Sequence, residues 1–244
     1  MIHFLRRAVV ALLLFLPALA LAALPAVNPT VRYMSLGDSL AAGYKAQPAT
    51  AGYAYQLYLD RAFGSIPDTV FDNAAVPGAT SSDLLNFQLP QVARFEPNVV
   101  TISIGGNDLL ALLLVPDPNA QLPGVLATFS QNLGASLVQL CGQLPEGGRI
   151  FIHNLYEIPE IPLTQQAVPV FNGVLEQTVQ AASLSQFCAG RSLAVADVYN
   201  AFLGQQGLLL IERFLKKGIV TTEVHPTNKG HRVIEDAFRA VIGR

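Results

Sequence analysis

From Val31 onward the chain alternates short apolar, β-branched runs with longer segments of helical periodicity, and that alternation restricts the fold more than anything else in the sequence. Val31 to Leu36, Thr69 to Asn73, Val99 to Ile104, Arg149 to Asn154 and Leu193 to Val198 read as strands, each bounded by turn-forming residues. Between them, helical patterns cover Tyr53 to Phe63, Ser81 to Phe95, Val125 to Cys141 and Phe171 to Ala189. A last helix places Val233, Ile234, Ala237, Phe238 and Val241 at helical spacing, with Arg232, Glu235, Asp236 and Arg239 elsewhere on its circumference. Thr227 or Asn228 caps its start. Strands that alternate with helices are joined by crossovers that return the chain to the same end of the sheet, so the strands are parallel and helices cover both faces. The expected fold is α/β, three layers, with about five strands in the central sheet.

The first residues carry a different signal. Arg6 and Arg7 precede an apolar core from Ala8 to Leu16, and Ala20-Leu21-Ala22 suits a cleavage site, so residues 1 to 22 read as a secretory signal peptide and 23 to 244 as one domain. The expected location is secreted or periplasmic. The alternative is an uncleaved anchor, since Ala8 to Val27 is long enough to span a bilayer. Under the first reading, membrane contact is confined to the leader. Cys141 and Cys188 are the only cysteines, and in an exported chain they are candidates for a disulfide worth about 4 kcal/mol of loop closure.

The chain carries a formal charge of −2, and losing the leader removes two of its arginines. A mildly acidic chain with scattered basic residues is a poor nucleic-acid binder. No phosphate-binding Gly-x-x-x-x-Gly-Lys loop and no His-Glu-x-x-His helix is present, and two cysteines without a nearby histidine do not make a zinc site. No metal and no organic cofactor is expected. Gly142 to Gly148 reads as a turn.

Four separated segments supply residues suited to acyl transfer. Gly37-Asp38-Ser39-Leu40 follows the first strand, with Leu40 to Tyr44 reading as the first turn of a helix. Asn73 and Gly78 follow the second strand, Gly105-Gly106-Asn107-Asp108 the third, and His225-Pro226 precedes the last helix. In an open parallel sheet all four meet at the carboxyl edge of the strands, where ligands bind. The pentapeptide Gly37-Asp38-Ser39-Leu40-Ala41 lacks the Gly-x-Ser-x-Gly pattern of the other common α/β serine hydrolases.

In the order and spacing of these four blocks the sequence resembles the GDSL, or SGNH, hydrolases over essentially the whole chain after the leader. The resemblance implies a flavodoxin-like arrangement of the layers. It implies Ser39 as nucleophile, His225 as its base, and an oxyanion hole of the Ser39 and Gly78 backbone N–H groups with the Asn107 side-chain amide. A serine hydroxyl needs a base within hydrogen-bond reach, and an imidazole suits that task near neutral pH. The family usually carries Asp three residues before the histidine, where this chain has Thr222. Glu223, the Thr222 hydroxyl or a backbone carbonyl could serve instead, and Glu223 alone offers a full negative charge to the imidazolium. Asp38 reads as a loop-fixing group, and Asp197 as structural. His153 reads as a hydrogen-bonded structural histidine that also faces the pocket edge, and His231 as an anchor of the last helix.

The expected activity is hydrolysis of carboxylic esters through an acyl-enzyme, on a small-molecule or lipid ester. The apolar, proline-containing connections Leu109 to Pro123 and Leu155 to Val170 read as loops that build the acyl pocket, with a buried helical turn over Leu109 to Val115 as the equal alternative for the first. Lysophospholipase, thioesterase and carbohydrate acetylesterase activities share this chemistry. A binding domain that keeps the fold without turnover is the reading from another class, motivated by Thr222 at the usual acid position.

Overall fold

The computed structural model describes residues 30–210, 214–216, 219–221 and 223–243. The segment read as a leader and Thr222 lie outside the described residues. β1 (Val31–Gly37), β2 (Thr69–Asn73), β3 (Val99–Ser103), β4 (Arg149–His153) and β5 (Ser192–Ala196) form one sheet in the order β2-β1-β3-β4-β5. All four neighbouring pairs are parallel. The chain steps outward from β1 to β2 and then back across β1 to β3, so the crossover direction reverses between β1 and β3. A crevice opens at such a switch point beyond the carboxyl ends of the strands. Gly37 pairs with Ser103 there, and Ser39 stands two residues past the end of β1.

Side-chain alternation divides the core into two layers. Met34, Leu36, Val100, Ile102, Ile150 and Ile152 face one way, and Tyr33, Val99, Phe151 and Ala196 face the other. The helices are α1 (Tyr53–Leu59), α2 (Ser81–Asp83), α3 (Leu89–Phe95), α4 (Gly106–Leu110), α5 (Pro118–Gln143), α6 (Pro162–Ser183), α7 (Val198–Phe202), α8 (Gln206–Leu209) and α9 (Asn228–Ile242). On the first face α5 and α6 contribute Phe129, Leu133, Leu137, Phe171 and Leu175, all fully buried. On the second, α1, α7 and α9 contribute Tyr53, Leu57, Phe202, Ile234 and Phe238. The short strands β6 (Phe214–Lys216) and β7 (Ile219–Thr221) pair antiparallel ahead of His225.

Several sequence expectations are corrected. Leu40 to Tyr44 is a run of turns rather than the start of a helix, because Gly43 and Lys45 adopt left-handed backbone (φ 70° and 68°) that an α-helix cannot continue. The helix read from Ser81 to Phe95 is interrupted by a π-turn over Leu84–Gln88. β5 stops at Ala196, since the Asp197 carboxylate caps α7 through the Asn200 N–H at 3.1 Å, and Val198 is helical.

Both connections are largely helical, and from Leu109 to Leu114 the helical-turn alternative is the one found. Leu109 and Leu110 end α4, Ala111–Leu114 is a 3-10 turn, and α5 starts at Pro118. α6 starts at Pro162 and ends at Ser183, short of Ala189. The prolines explain the misreading: Pro118 and Pro162 open their helices, where a missing N–H costs nothing, while Pro123 and Pro169 sit inside them. Burial of Ala167, Val168 and Phe171 around Pro169 offsets its lost hydrogen bond. At α9 the Thr227 hydroxyl, rather than Asn228, caps the helix by accepting from the Gly230 N–H at 3.1 Å.

Cys141 of α5 and Cys188, in a 3-10 turn after α6, are joined by a buried disulfide. Among the described residues no helix is long and apolar enough to cross a membrane.

Candidate active site

Gly37 fixes how the chain leaves β1. Its φ is 119°, and a Cβ there would stand 1.8 Å from the Ser103 carbonyl oxygen, so no other residue fits. The Gln88 side chain clasps it from both ends, accepting from the Gly37 N–H and donating to the Gly37 C=O, each at 2.7 Å. Asp38 then ties the turn to β3. Its N–H donates to the Ser103 carbonyl at 2.8 Å, and its carboxylate accepts from the Ser103 hydroxyl at 2.9 Å and the Leu40 N–H at 3.0 Å. Burial pushes the Asp38 carboxyl up to about 7, against these hydrogen bonds. Asp38 thus holds the loop, as its position next to the serine suggests.

Ser39, held by this scaffold, is 7% exposed. Its Oγ lies 2.9 Å from Nε2 of His225, a residue 186 positions away in sequence. Nδ1 of the same ring is hydrogen bonded to Oε1 of Glu223, which also accepts the N–H groups of Val224 (3.0 Å) and His225 (3.3 Å). Burial opposes the charge on Glu223, but the His225 hydrogen bond, the His225 charge and those two N–H groups outweigh it and hold the carboxyl below its ordinary value. An ionised carboxylate only accepts, so Nδ1 carries the proton and Nε2 of the neutral ring is free to accept from the Ser39 hydroxyl.

Glu223, two residues before the histidine, is the group on the ring. The Glu223 side chain folds along the backbone that follows it, so that one oxygen meets two N–H groups and the ring.

Two neighbours were not picked out by the sequence. The Tyr44 ring packs edge-on against His225, with centroids 4.8 Å apart, and Lys45 Nζ lies 3.9 Å from Glu223 Oε2. Both come from the turn that replaces the expected helix. The Tyr156 hydroxyl donates to the Val224 carbonyl at 2.7 Å and steadies the backbone that carries the base.

The resemblance implies three oxyanion donors, the Asn107 amide and the Ser39 and Gly78 backbone N–H groups. The Asn107 amide donates one N–H to the Ala79 carbonyl at 2.8 Å, which leaves its second N–H uncommitted. Among the described residues neither the Ser39 nor the Gly78 backbone N–H donates to a protein group. Gly78 is exposed, adopts φ 88°, and has nothing within 4 Å of where a Cβ would be. It is therefore glycine for its backbone angle, not because protein atoms crowd it. It borders an adjoining groove, joined to the Ser39 pocket through the Asn107–Ala79 bond. Asn73, the other polar residue after β2, instead fastens the turn, donating to the Ala41 carbonyl at 2.9 Å and accepting from Ala75 N–H.

A pocket with predominantly apolar walls opens beside Ser39. Leu109 and Leu110 of α4, Leu155 and Ile158 after β4, and Val168 of α6 supply most of its wall, with Asn107 at its edge. Two of its polar walls are already satisfied: Thr164 bonds the backbone of Ile158 and Ile161, and Tyr156 bonds Val224. His153 also lines it, fully buried, with Nδ1–H donating to the Asn154 carbonyl at 2.7 Å. Burial holds the His153 ring neutral, with a pKa lowered to about 4, so it is both the structural histidine and a pocket wall. His231 is buried under α1, accepting from the Tyr53 N–H at 3.4 Å, and burial likewise lowers it to about 4. Asp197 accepts from the Asn154 side chain at 3.1 Å and from Asn200, a structural role. Among the described residues no cluster of three His, Cys, Asp or Glu could hold a metal ion.

The arrangement can transfer a proton from a hydroxyl to an imidazole backed by a carboxylate, beside donors for a developing oxyanion. The fold is shared with solved hydrolases. An acetylxylan esterase from Geobacillus stearothermophilus superposes with a TM-score of 0.61 at 19% identity, covering 89% of this chain and 96% of its own. An α/β hydrolase from the metagenome of Lake Arreo, Spain, gives 0.61 at 18% identity over 88% and 95%. No curated protein sequence matches the chain. Residues 35–233 match the GDSL-like lipase/acylhydrolase family. With that match running through all four blocks, the chain belongs to the GDSL-like lipase/acylhydrolase family and is a carboxylic ester hydrolase.

Proposed function

We propose that the protein is an exported serine esterase that cleaves aliphatic esters through an acyl-enzyme on Ser39. The observation that carries this reading is the hydrogen-bonded series Ser39 Oγ, His225 Nε2 and Nδ1, Glu223 Oε1. As Ser39 Oγ attacks the ester carbonyl carbon, its proton passes to Nε2, and Glu223 stabilises the imidazolium that forms. The carbonyl oxygen becomes an oxyanion held by the Ser39 and Gly78 N–H groups and the second Asn107 N–H. Collapse breaks the bond to the alcohol, which leaves with the proton from Nε2. Water then repeats the sequence on the acyl-serine and frees the acid.

The apolar pocket supports an acyl chain longer than acetyl. Acetyl removal from carbohydrate is the second reading, supported by the name of the Geobacillus relative, and lysophospholipase and thioesterase activities remain within the same chemistry. A non-catalytic binding domain loses its motive once Glu223 supplies the carboxylate that Thr222 does not. Export is supported by the Arg6-Arg7 start, the apolar run behind it and the Cys141–Cys188 bond, and N-terminal sequencing of protein from the culture medium or periplasm tests it.

The deciding experiment is a series of p-nitrophenyl esters of rising acyl length, with acetylated xylan alongside and a fluorophosphonate label. Butyrate or longer chains should outrun acetate, and the label should attach to Ser39 and fail on Ser39→Ala. Absence of labelling, or turnover by Ser39→Ala equal to wild type, overturns the reading.

A further inference from the structure

Among the described residues the Asn107 side chain makes one hydrogen bond, to the Ala79 carbonyl at 2.8 Å. The aim of its second N–H therefore depends on where that carbonyl stands. Ala79 ends a surface stretch in which Val76, Pro77 and Gly78 are exposed. What holds the stretch against α4 is the next residue of the helix. The Asp108 carboxylate accepts the Ser81 N–H at 2.9 Å on one oxygen and the Ser81 hydroxyl at 2.5 Å on the other. Ser81 is fully buried, and the Asn132 side chain of α5 donates to its Oγ at 3.1 Å. Asn107 lines the Ser39 pocket, whereas Asp108 does not.

We infer that Asp108 is a positioning residue for ester cleavage: by clasping Ser81 it fixes the Ala79 carbonyl and so aims the Asn107 amide. The inference rests on the oxyanion role proposed above for Asn107. The two N–H groups of a planar amide point in fixed directions, so a shift of the carbonyl that holds one of them turns the other. A donor stabilises an oxyanion only if it is already in place when the charge develops. Two bonds to one residue fix both distance and rotation, which a single bond leaves free. Aspartate suits the task because an ionised carboxylate receives two donors at once. Asparagine keeps much of this arrangement, since its oxygen accepts the Ser81 N–H and its amide donates to Ser81 Oγ. Alanine keeps neither bond. Asp108 also stands in the first turn of α4, where a negative charge favours the helix dipole, but that role acts on stability and leaves turnover alone.

The test is steady-state hydrolysis of p-nitrophenyl butyrate, with fluorophosphonate labelling and thermal midpoints, for wild type, Asp108→Ala, Asp108→Asn, Ser81→Ala, Asn107→Ala and the Asn107→Ala, Asp108→Ala pair. Asp108→Ala should lower kcat about tenfold or more with KM within about twofold, a part of what deleting an oxyanion donor costs. Asp108→Asn should return to within about threefold of wild type, because its amide group can still make two bonds to Ser81. Ser81→Ala keeps the N–H bond and loses the hydroxyl bond, so its kcat should fall between those two, and it carries the test if Asp108→Ala does not fold. The double variant separates aiming from general support: without Asn107, the loss from Asp108→Ala should shrink to about threefold or less. An Asp108→Ala kcat within about twofold of wild type, a loss confined to KM, no recovery in Asp108→Asn, or losses that multiply in full in the double variant each overturns the inference. In those cases the esterase reading stands. A wild type that neither cleaves ester nor takes the label overturns the proposed function, and this inference with it.

Discussion

Glu223→Gln isolates the electrostatic part of the site with little change in volume. During attack the His225 ring becomes a cation in hydrogen-bond contact with the Glu223 carboxylate. Opposite charges about 4 Å apart in an effective dielectric of about 20 attract by about 4 kcal/mol. The Glu223 side chain is 22% exposed, and solvent screening trims this to about 3 kcal/mol. At about 1.4 kcal/mol per decade of rate, kcat should fall on the order of a hundredfold. Gln also presents an N–H where Nδ1 must donate, which favours the wrong tautomer and pushes the loss higher. KM should stay nearly constant, because Glu223 touches the ring and its own backbone rather than the pocket. The assay is steady-state hydrolysis of p-nitrophenyl butyrate by Glu223→Gln and wild type, with matched thermal midpoints as the folding control. A kcat within about threefold of wild type would refute the reasoning, since it would mean that imidazolium charge is not balanced by this carboxylate.

Asn107→Ala should lower kcat by about a hundred- to a thousandfold through loss of one oxyanion donor, read in the same assay. Gly37→Ala should give insoluble or severely destabilised protein, because its Cβ would collide with the Ser103 carbonyl at 1.8 Å; a soluble variant with a wild-type melting midpoint would contradict this. Replacing both Cys141 and Cys188 by Ala should cost about 4 kcal/mol in urea unfolding, from a loop with a sequence separation of 47. Stability should also respond to acid with a defined sign. His153 and His231 are buried neutral with pKa values about 4, whereas the open chain protonates near 6.5, so their contribution is complete above pH 6.5 and is lost as pH falls towards 4. Asp38 opposes them, since its folded pKa of about 7 exceeds the open-chain value of 3.8 and the folded state takes up its proton first. Asp38→Asn should therefore lose about 3 kcal/mol more than wild type between pH 7 and 4.5 in urea titrations, and equal losses would show that Asp38 does not carry that shift.

The sequence by itself determined the class of fold and named the serine and the histidine that the fold brings together. Strand signals are local: β-branched runs ended by glycine or asparagine give β1 to β4 to within a residue, and their alternation with helices makes the sheet parallel. Ser39, Asn107 and His225 were legible because each sits in a short block at the end of a strand or before a helix. Tertiary structure decided the rest. The Glu223 carboxylate reaches His225 through the backbone path of residues 223–225, and sequence spacing does not encode that path. Tyr44 and Lys45 lie against the base because left-handed residues turn the chain after β1 back towards it. The helices beginning at Pro118 and Pro162 were hidden by prolines at the positions where helices tolerate them. Local propensity is settled by a few neighbouring residues, whereas the approach of Tyr44 to His225 and of Lys45 to Glu223 joins the turn after β1 to a segment near the other end of the chain, and only the folded chain brings those surfaces together.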